Sequence, residues 1–288
     1  YVEPGKEIGA PAEDTMRAIV LAAFSGIFAV IAVAVFALDV TGSSQATQSV
    51  RYTYAEVETI AALAERELVG RNVDVAIVFR TGRLRKDMPD GVLYTHGAFW
   101  VRETDAAGKV SYAVHNLYQG EGRLSNTSGL YQDDPQMFVR GTIVSDFGII
   151  VPSAALQAKL KQFIGSPAYA ALHNPSYSIV SNPHNDQFQN CNEFMLDVMV
   201  SLIHETDDYS QIKRLAEQRF EPQHVTMGPI IDRLAPLLIQ DVSAQDHAGP
   251  IHTATYRTLG TYLENEGYLA EMFEWHFDKP AGTSAKPA

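Results

Sequence analysis

Cys191, the only cysteine of the chain, stands at a predicted helix start, where a thiol could serve as a nucleophile. Asn190 is a preferred N-cap residue, Glu193 can complete a capping box, and an apolar stripe with helical spacing follows. Free backbone N–H groups and the positive end of the helix dipole favour a thiolate at this position. The alternative interpretation is a small buried apolar residue, which is the commoner role of a lone cysteine.

A thiolate nucleophile needs a base, and His96 is the most suggestive of the nine histidines. It lies in a run of strand-forming residues that opens after the turn-like segment 89–91, and a second such run covers 109–118. The polar turn between the two runs predicts an antiparallel hairpin. The second strand carries His115 and Asn116, which must point to opposite faces because strand side chains alternate.

The order of these residues resembles that of circularly permuted papain-like hydrolases related to the NlpC/P60 group. In those proteins a His-Gly strand precedes a polar residue, and a late Asn-Cys helix start carries the nucleophile. Over residues 73–269 the chain also resembles DUF2145, a bacterial family of uncharacterised proteins, which brings no established reaction with it. The segments that carry this second resemblance are Tyr94-Thr95-His96-Gly97-Ala98-Phe99, 128–135, 148–153, 177–180 and Gln189-Asn190-Cys191-Asn192.

The papain-like resemblance implies a role for each candidate residue. Cys191 would attack a carbonyl, and His96 would act first as base and then as acid. His115 would orient His96 and fix its tautomer, and Asn116 is the alternative for this third role. The substrate would be a peptide or an acylated molecule.

Other chemistries fit the sequence less well. The run His204-Glu205-Thr206-Asp207-Asp208 begins like a zinc-peptidase helix but has Asp208 where a second histidine is required. A single cysteine excludes a multi-cysteine metal centre within the chain, and no phosphate loop or dinucleotide fingerprint occurs. We therefore expect no cofactor and no metal.

The pattern of elements predicts an α+β fold, with a papain-like (permuted NlpC/P60-type) core and an antiparallel sheet over residues 53–206. A helix at 54–69, a strand at 73–79, strand material at 139–151 and a helix at 153–164 would build this core. Residues 207–277 are expected to form a helical C-terminal extension with helices at 209–219 and 255–266, and 278–288 a disordered tail. Three aromatic residues are expected to dock its last helix, namely Phe273, Trp275 and Phe277.

Residues 18–38 contain no charged side chain, and the run is long enough to cross a bilayer. We expect one transmembrane helix at 18–40, preceded by a tail at 1–17 and followed by a linker at 41–52. Arg17 before the run and Asp39 after it favour a cytoplasmic N-terminus, so the domain would lie on the periplasmic side of a bacterial inner membrane. A secretory signal cleaved near Ser44-Gln45-Ala46 is the alternative.

Two functions from different classes are compatible with these features. The first is a membrane-anchored, exported cysteine hydrolase or acyltransferase that cleaves an amide or ester in a peptidoglycan peptide or an acyl group. The second is a catalytically silent accessory or scaffold subunit of a larger assembly with integral-membrane partners. A net charge of −12 without a basic stripe on the C-terminal helices argues against nucleic acid as a partner.

Overall fold

The computed structural model of the chain describes residues 51–121, 124–226 and 243–277. The predicted tail 1–17, the predicted span 18–40 and the predicted tail 278–288 lie outside the described residues, as does most of the linker 41–52. Within the described ranges, no helix has both the length and the apolar character needed to cross a membrane.

The described residues form a mixed α+β fold built on an antiparallel sheet. The strands are β1 (Val75–Arg80), β2 (His96–Thr104), β3 (Val110–Gln119), β4 (Ser128–Asp133), β5 (Asp146–Pro152), β6 (Gln223–His224), β7 (His252–Thr253) and β8 (Leu269–His276). Six of them pair in the order β4, β3, β2, β1, β5, β8, and β6 and β7 form a separate two-stranded ribbon. The predicted hairpin of β2 and β3 is confirmed.

Seven α-helices lie within the described ranges, and the four helices predicted outside the Cys191 segment are all present. They are α1 (Tyr54–Gly70), α2 (Pro135–Arg140), α3 (Ala154–Phe163), α4 (Pro167–Ala171), α5 (Cys191–His204), α6 (Tyr209–Arg219) and α7 (Tyr256–Asn265). The predicted strand material at 139–151 is confirmed only from Asp146 onwards, because Val139 belongs to α2.

The two faces of the sheet carry separate buried clusters. Phe99 shares one cluster with Met195 of α5, and Trp100 shares the other with Ile60 of α1 and with Phe138 of α2. This division follows from strand alternation, since neighbouring residues of β2 point to opposite faces. Every side chain of the sheet can therefore be assigned to the α5 face or to the α1 face.

The C-terminal part differs from the predicted helical extension. Residues 269–276 form β8, which pairs with β5 at one edge of the sheet, so the three C-terminal aromatic residues do not dock a helix. Phe273, Trp275 and Phe277 follow one another at every second position, and all three pack on the α1 face. This spacing is the two-residue period of a strand, which is why the helical expectation was wrong.

Candidate functional site

Cys191 is the first residue of α5, as the sequence predicts. The Asn190 side chain caps the helix by accepting hydrogen bonds from the backbone N–H groups of Asn192 and Glu193, both at 3.0 Å. The expected capping box does not form. The Glu193 carboxylate turns into the protein instead, and the Asn190 N–H donates to Ser181 Oγ at 3.0 Å.

The Cys191 thiol is buried, with 5% of the residue exposed. Burial raises its pKa, while hydrogen bonds from the backbone of Gly97 and Asn192 and the nearby charge of Arg80 act in the opposite direction. The expectation that the helix start produces a thiolate is therefore corrected, because desolvation outweighs the helix terminus. Burial thus favours the neutral thiol of Cys191 over the thiolate.

Gly97 brings α5 close to the sheet beside His96. A Cβ atom at this position would lie 2.6 Å from Met195 Cε and 2.7 Å from the nearest ring carbon of Phe79. Both distances are shorter than any ordinary contact, so only glycine permits this approach. Its backbone then reaches the Cys191 sulfur.

His96 is held by Asn116 on the neighbouring strand. His96 Nε2 lies 2.9 Å from Asn116 Oδ1, while the Asn116 amide donates to Asp133 Oδ2 at 3.1 Å and to the Val114 carbonyl at 3.3 Å. Because the Asn116 amide group donates elsewhere, its oxygen must accept from His96, which places the ring proton on Nε2. His96 Nδ1 is then a proton acceptor.

His96 Nδ1 is buried and makes no hydrogen bond with any described residue. Burial, followed by the charge of Arg80, lowers the pKa of His96 to about 3, although the Asn116 hydrogen bond acts in the opposite direction. The ring is therefore neutral near pH 7. Nδ1 of the neutral ring is free to accept a proton, but a pKa of about 3 makes His96 a weak base near pH 7.

The His96 ring and Cys191 lie on different faces of the sheet. The His96 ring stacks on Tyr118 at 5.2 Å and contacts Phe138, which belongs to the α1 face, whereas Cys191 belongs to the cluster on the α5 face. The Gly97 backbone lies between them, and among the described residues no hydrogen bond joins the Cys191 sulfur to the His96 ring.

His115 points away from His96. In the strand register it is paired with Phe99, and its ring centroid lies 6.3 Å from that of Tyr169, on the α5 face. Of the two alternatives left open by the sequence, the structure thus places Asn116 against His96 and His115 elsewhere.

Arg80 is a further residue of this region that sequence reasoning missed. It ends β1, is paired with His96 in the strand register and is fully buried. Its Nη1 donates to the Gly141 carbonyl at 2.5 Å, and its guanidinium lies 5.2 Å from the Phe138 ring centroid. The sequence does contain a signal for a buried charge here, because a charged residue directly follows the apolar run 75–79.

A buried charge cluster below Cys191 was also missed. Lys213 Nζ of α6 lies 2.6 Å from Glu193 Oε1 and 2.8 Å from Asp197 Oδ2 of α5. Glu193 and Asp197 are four residues apart on an otherwise apolar helix face, and that spacing could have indicated the cluster.

A surface groove of about 810 Å³ lies between α1, the β3–β4 edge and the start of α2. It is lined by five carboxylates and one lysine, namely Glu58, Glu65, Glu103, Asp133, Asp134 and Lys109. Asp133 accepts from Asn116, which in turn holds His96. Two hydrogen bonds, from Asn116 to Asp133 and between Asn116 and His96, therefore connect the groove to the candidate base.

Residues 67–263 match the family model of an uncharacterised protein conserved in bacteria, DUF2145. The match covers more than half of the 288 residues and includes His96, Asn116 and Cys191, so the chain belongs to this bacterial family. No curated protein and no solved structure matches the chain.

Proposed function

We propose that this domain is a papain-like cysteine hydrolase or acyltransferase that acts on an amide or ester, with a peptidoglycan peptide or an acyl group as its substrate class. The observation that carries the proposal is the His96–Asn116 pair. His96 Nδ1 makes no hydrogen bond with any described residue, and the backbone of the next residue, Gly97, contacts Cys191. A thiol, a neutral imidazole and a carboxamide that orients it make up the Cys-His-Asn arrangement of acyl transfer.

The reaction would begin from the neutral thiol. For this step the Cys191 thiol would first have to move past the Gly97 backbone to reach His96 Nδ1. Nδ1 would then accept the thiol proton as the sulfur attacks the carbonyl carbon, while Asn116 Oδ1 holds the Nε2 proton so that the ring cannot turn. The protonated ring then gives its proton to the leaving amine or alcohol. Water or a second acceptor attacks the resulting thioester, and His96 acts as base again.

Arg80 would assist by charge. Its buried guanidinium lowers the pKa of Cys191, which means that it favours negative charge on the sulfur. The same charge disfavours the imidazolium form of His96. The first effect would stabilise the thiolate that attacks the substrate, and the second would speed the return of the proton from the His96 ring to the leaving group.

Acetyl transfer from p-nitrophenyl acetate tests this proposal without knowledge of the natural substrate. We expect release of nitrophenolate together with one acetyl group on Cys191, located by peptide mass spectrometry. A thiol that acquires no acetyl group in the folded protein, but does so after unfolding, would exclude the enzyme and leave the scaffold function.

The pH dependence of this acetylation should reflect the shifted pKa values of His96 and Cys191. Because His96 is neutral at any pH well above about 3, we expect no inflection near pH 6.5, where an ordinary histidine titrates. The rate should stay level from about pH 5 to about pH 8, since burial also raises the pKa of the thiol. Initial rates in buffers of constant ionic strength measure this profile. A steep fall below pH 7 would contradict the assigned base.

The scaffold function is favoured by one specific observation, the burial of both reacting side chains. Only 5% of Cys191 and 1% of His96 is exposed. A substrate must therefore displace covering side chains before it reaches the sulfur. In a catalytically silent subunit the same groups would serve only to pack α5 on the sheet.

We further propose that residues 18–40 anchor this domain to the periplasmic face of a bacterial inner membrane, beside integral-membrane partners. The uncharged run 18–38 supports the proposal. The protein should resist carbonate extraction, and its domain should be digested by protease added to intact spheroplasts. A shortened form released into the soluble fraction would instead identify a cleaved signal.

A further inference from the structure

Three reactive side chains meet between α5 and α6. Lys213 Nζ lies 2.9 Å from Asp197 Oδ1 and 2.8 Å from Asp197 Oδ2, and 2.6 Å from Glu193 Oε1. A nitrogen this close to both oxygens of one carboxyl group is also within about 3.5 Å of the carbon between them, which meets the distance requirement, though not by itself the angular one, of a near-attack geometry.

The surroundings keep water away from this cluster. The side chains of Glu193 and Asp197 are fully buried, and only 7% of the Lys213 side chain is exposed. The Tyr209 ring lies 5.1 Å from Lys213 Nζ, and its hydroxyl donates to Asp197 Oδ2 at 3.3 Å. Gln189 Nε2 donates to the same oxygen at 2.7 Å, so Asp197 is held in place from three sides.

We propose that Lys213 and Asp197 condense into an intramolecular isopeptide bond, with Glu193 as the group that transfers the protons. An amine, a carboxyl group and a second carboxyl group in a dry pocket are the components that such a condensation requires. The proposal is independent of the acyl-transfer function, because the atoms that would join, Lys213 Nζ and Asp197 Cγ, belong to none of the residues proposed for that reaction.

The atoms balance without any co-reactant. A proton moves from the Lys213 ammonium to the Asp197 carboxylate, the neutral amine attacks Asp197 Cγ, and the Glu193 carboxyl group protonates the carbonyl oxygen. Glu193 then takes a proton from nitrogen and returns it to the departing hydroxyl, which leaves as water. The proton that remains on the amide oxygen passes back to the Glu193 carboxylate. One N–C bond forms, one C–O bond breaks, and Glu193 ends in its starting state.

The protonation equilibria are compatible with this sequence. Burial raises the pKa of Glu193 to about 8, so near pH 7 this group can supply a proton. Burial would also lower the pKa of Lys213, but the charges of Asp197 and Glu193 raise it overall, so the amine is released only by transfer within the cluster. Because burial raises the pKa of Asp197, its carboxylate is a ready acceptor.

Burying the amide product costs less desolvation free energy than burying the starting ions. An ion pair in an apolar interior carries a large desolvation penalty, whereas an amide is neutral, and the released water leaves for the solvent. Exposed pairs lack this driving force. Lys159 and Glu205 are 2.9 Å apart at the surface and should remain separate, which makes them an internal control.

Digestion of the denatured full chain with a glutamate-specific protease tests the proposal. Cleavage after Glu193, Glu205 and Glu217 separates peptides 194–205 and 206–217, which contain Asp197 and Lys213 respectively. We expect the two peptides joined, with the combined mass less one water. Recovery of both peptides unjoined from the wild-type protein overturns the proposal.

Variants then assign the roles. Lys213→Arg keeps the positive charge but cannot form the amide, so peptide 206–217 should appear free. Glu193→Gln keeps the shape and removes the proton transfer, and it should also release this peptide. Lys159→Arg should leave the joined product unchanged. Full joining in Glu193→Gln would overturn the role given to Glu193.

Discussion

Replacement of His96 by glutamine is expected to slow acetylation of Cys191 by about 100-fold or more, the usual contribution of a positioned general base. The buried carboxamide would keep a polar side chain beside Asn116 but offers no nitrogen that accepts a proton. The rate of nitrophenolate release from p-nitrophenyl acetate, corrected for the reaction of the Cys191→Ala protein, measures the effect.

His115→Gln is the matched control, because the same substitution is made one strand away on the opposite face. Its acetylation rate should stay within about twofold of the wild type, whereas Asn116→Ala should lose about tenfold or more through misorientation of the ring. Equal rates in His96→Gln and His115→Gln would remove His96 from the mechanism. A larger loss in His115→Gln than in Asn116→Ala would restore His115 as the orienting residue.

Relative to Lys213→Arg, which keeps the cation and cannot form the proposed amide, Lys213→Met is expected to lower the free energy of unfolding by about 3–5 kcal/mol, the usual effect of removing one partner from a buried charge cluster. Methionine fills a similar volume but leaves Glu193 and Asp197 buried without a cation. Urea unfolding followed by circular dichroism gives the difference.

Lys159→Met removes a lysine from an exposed ion pair of similar length, and it should cost less than about 1 kcal/mol. Adding Glu193→Gln and Asp197→Asn to Lys213→Met should recover much of the lost stability, since no buried charge then remains. If Lys213→Met and Lys159→Met are equally stable, the buried cluster contributes nothing beyond a surface pair.

The sequence was sufficient where a local pattern decides the structure. The Asn190 cap, the start of α5 and the hairpin that carries His96 are set by residues close to one another in the chain. Strand alternation also predicted that only one of His115 and Asn116 could serve His96. Which of the two does so depends on the register between β2 and β3, in which His115 pairs with Phe99, and the local sequence does not fix that register.

The remaining features depend on packing between distant segments. Whether the Cys191 thiol ionises is decided by its burial, which no helix-start motif reveals. Glu193 has the spacing of a capping residue, but Lys213 on the next helix draws it inward. The strand formed by 269–276 follows closely after the helical run 256–265, and the helical pattern was extended over it in error.

The position of β8 in the sheet has a consequence for biosynthesis. β5 is apolar and entirely buried, and one of its edges is covered by a strand that leaves the ribosome more than a hundred residues later, as the pairing of Asp146 with His276 shows. Until then a nascent chain exposes an unpaired, aggregation-prone edge. Completion of the sheet is thus postponed until β8 has left the ribosome, and a chaperone that shields residues 146–152 in the meantime would raise the yield of native protein.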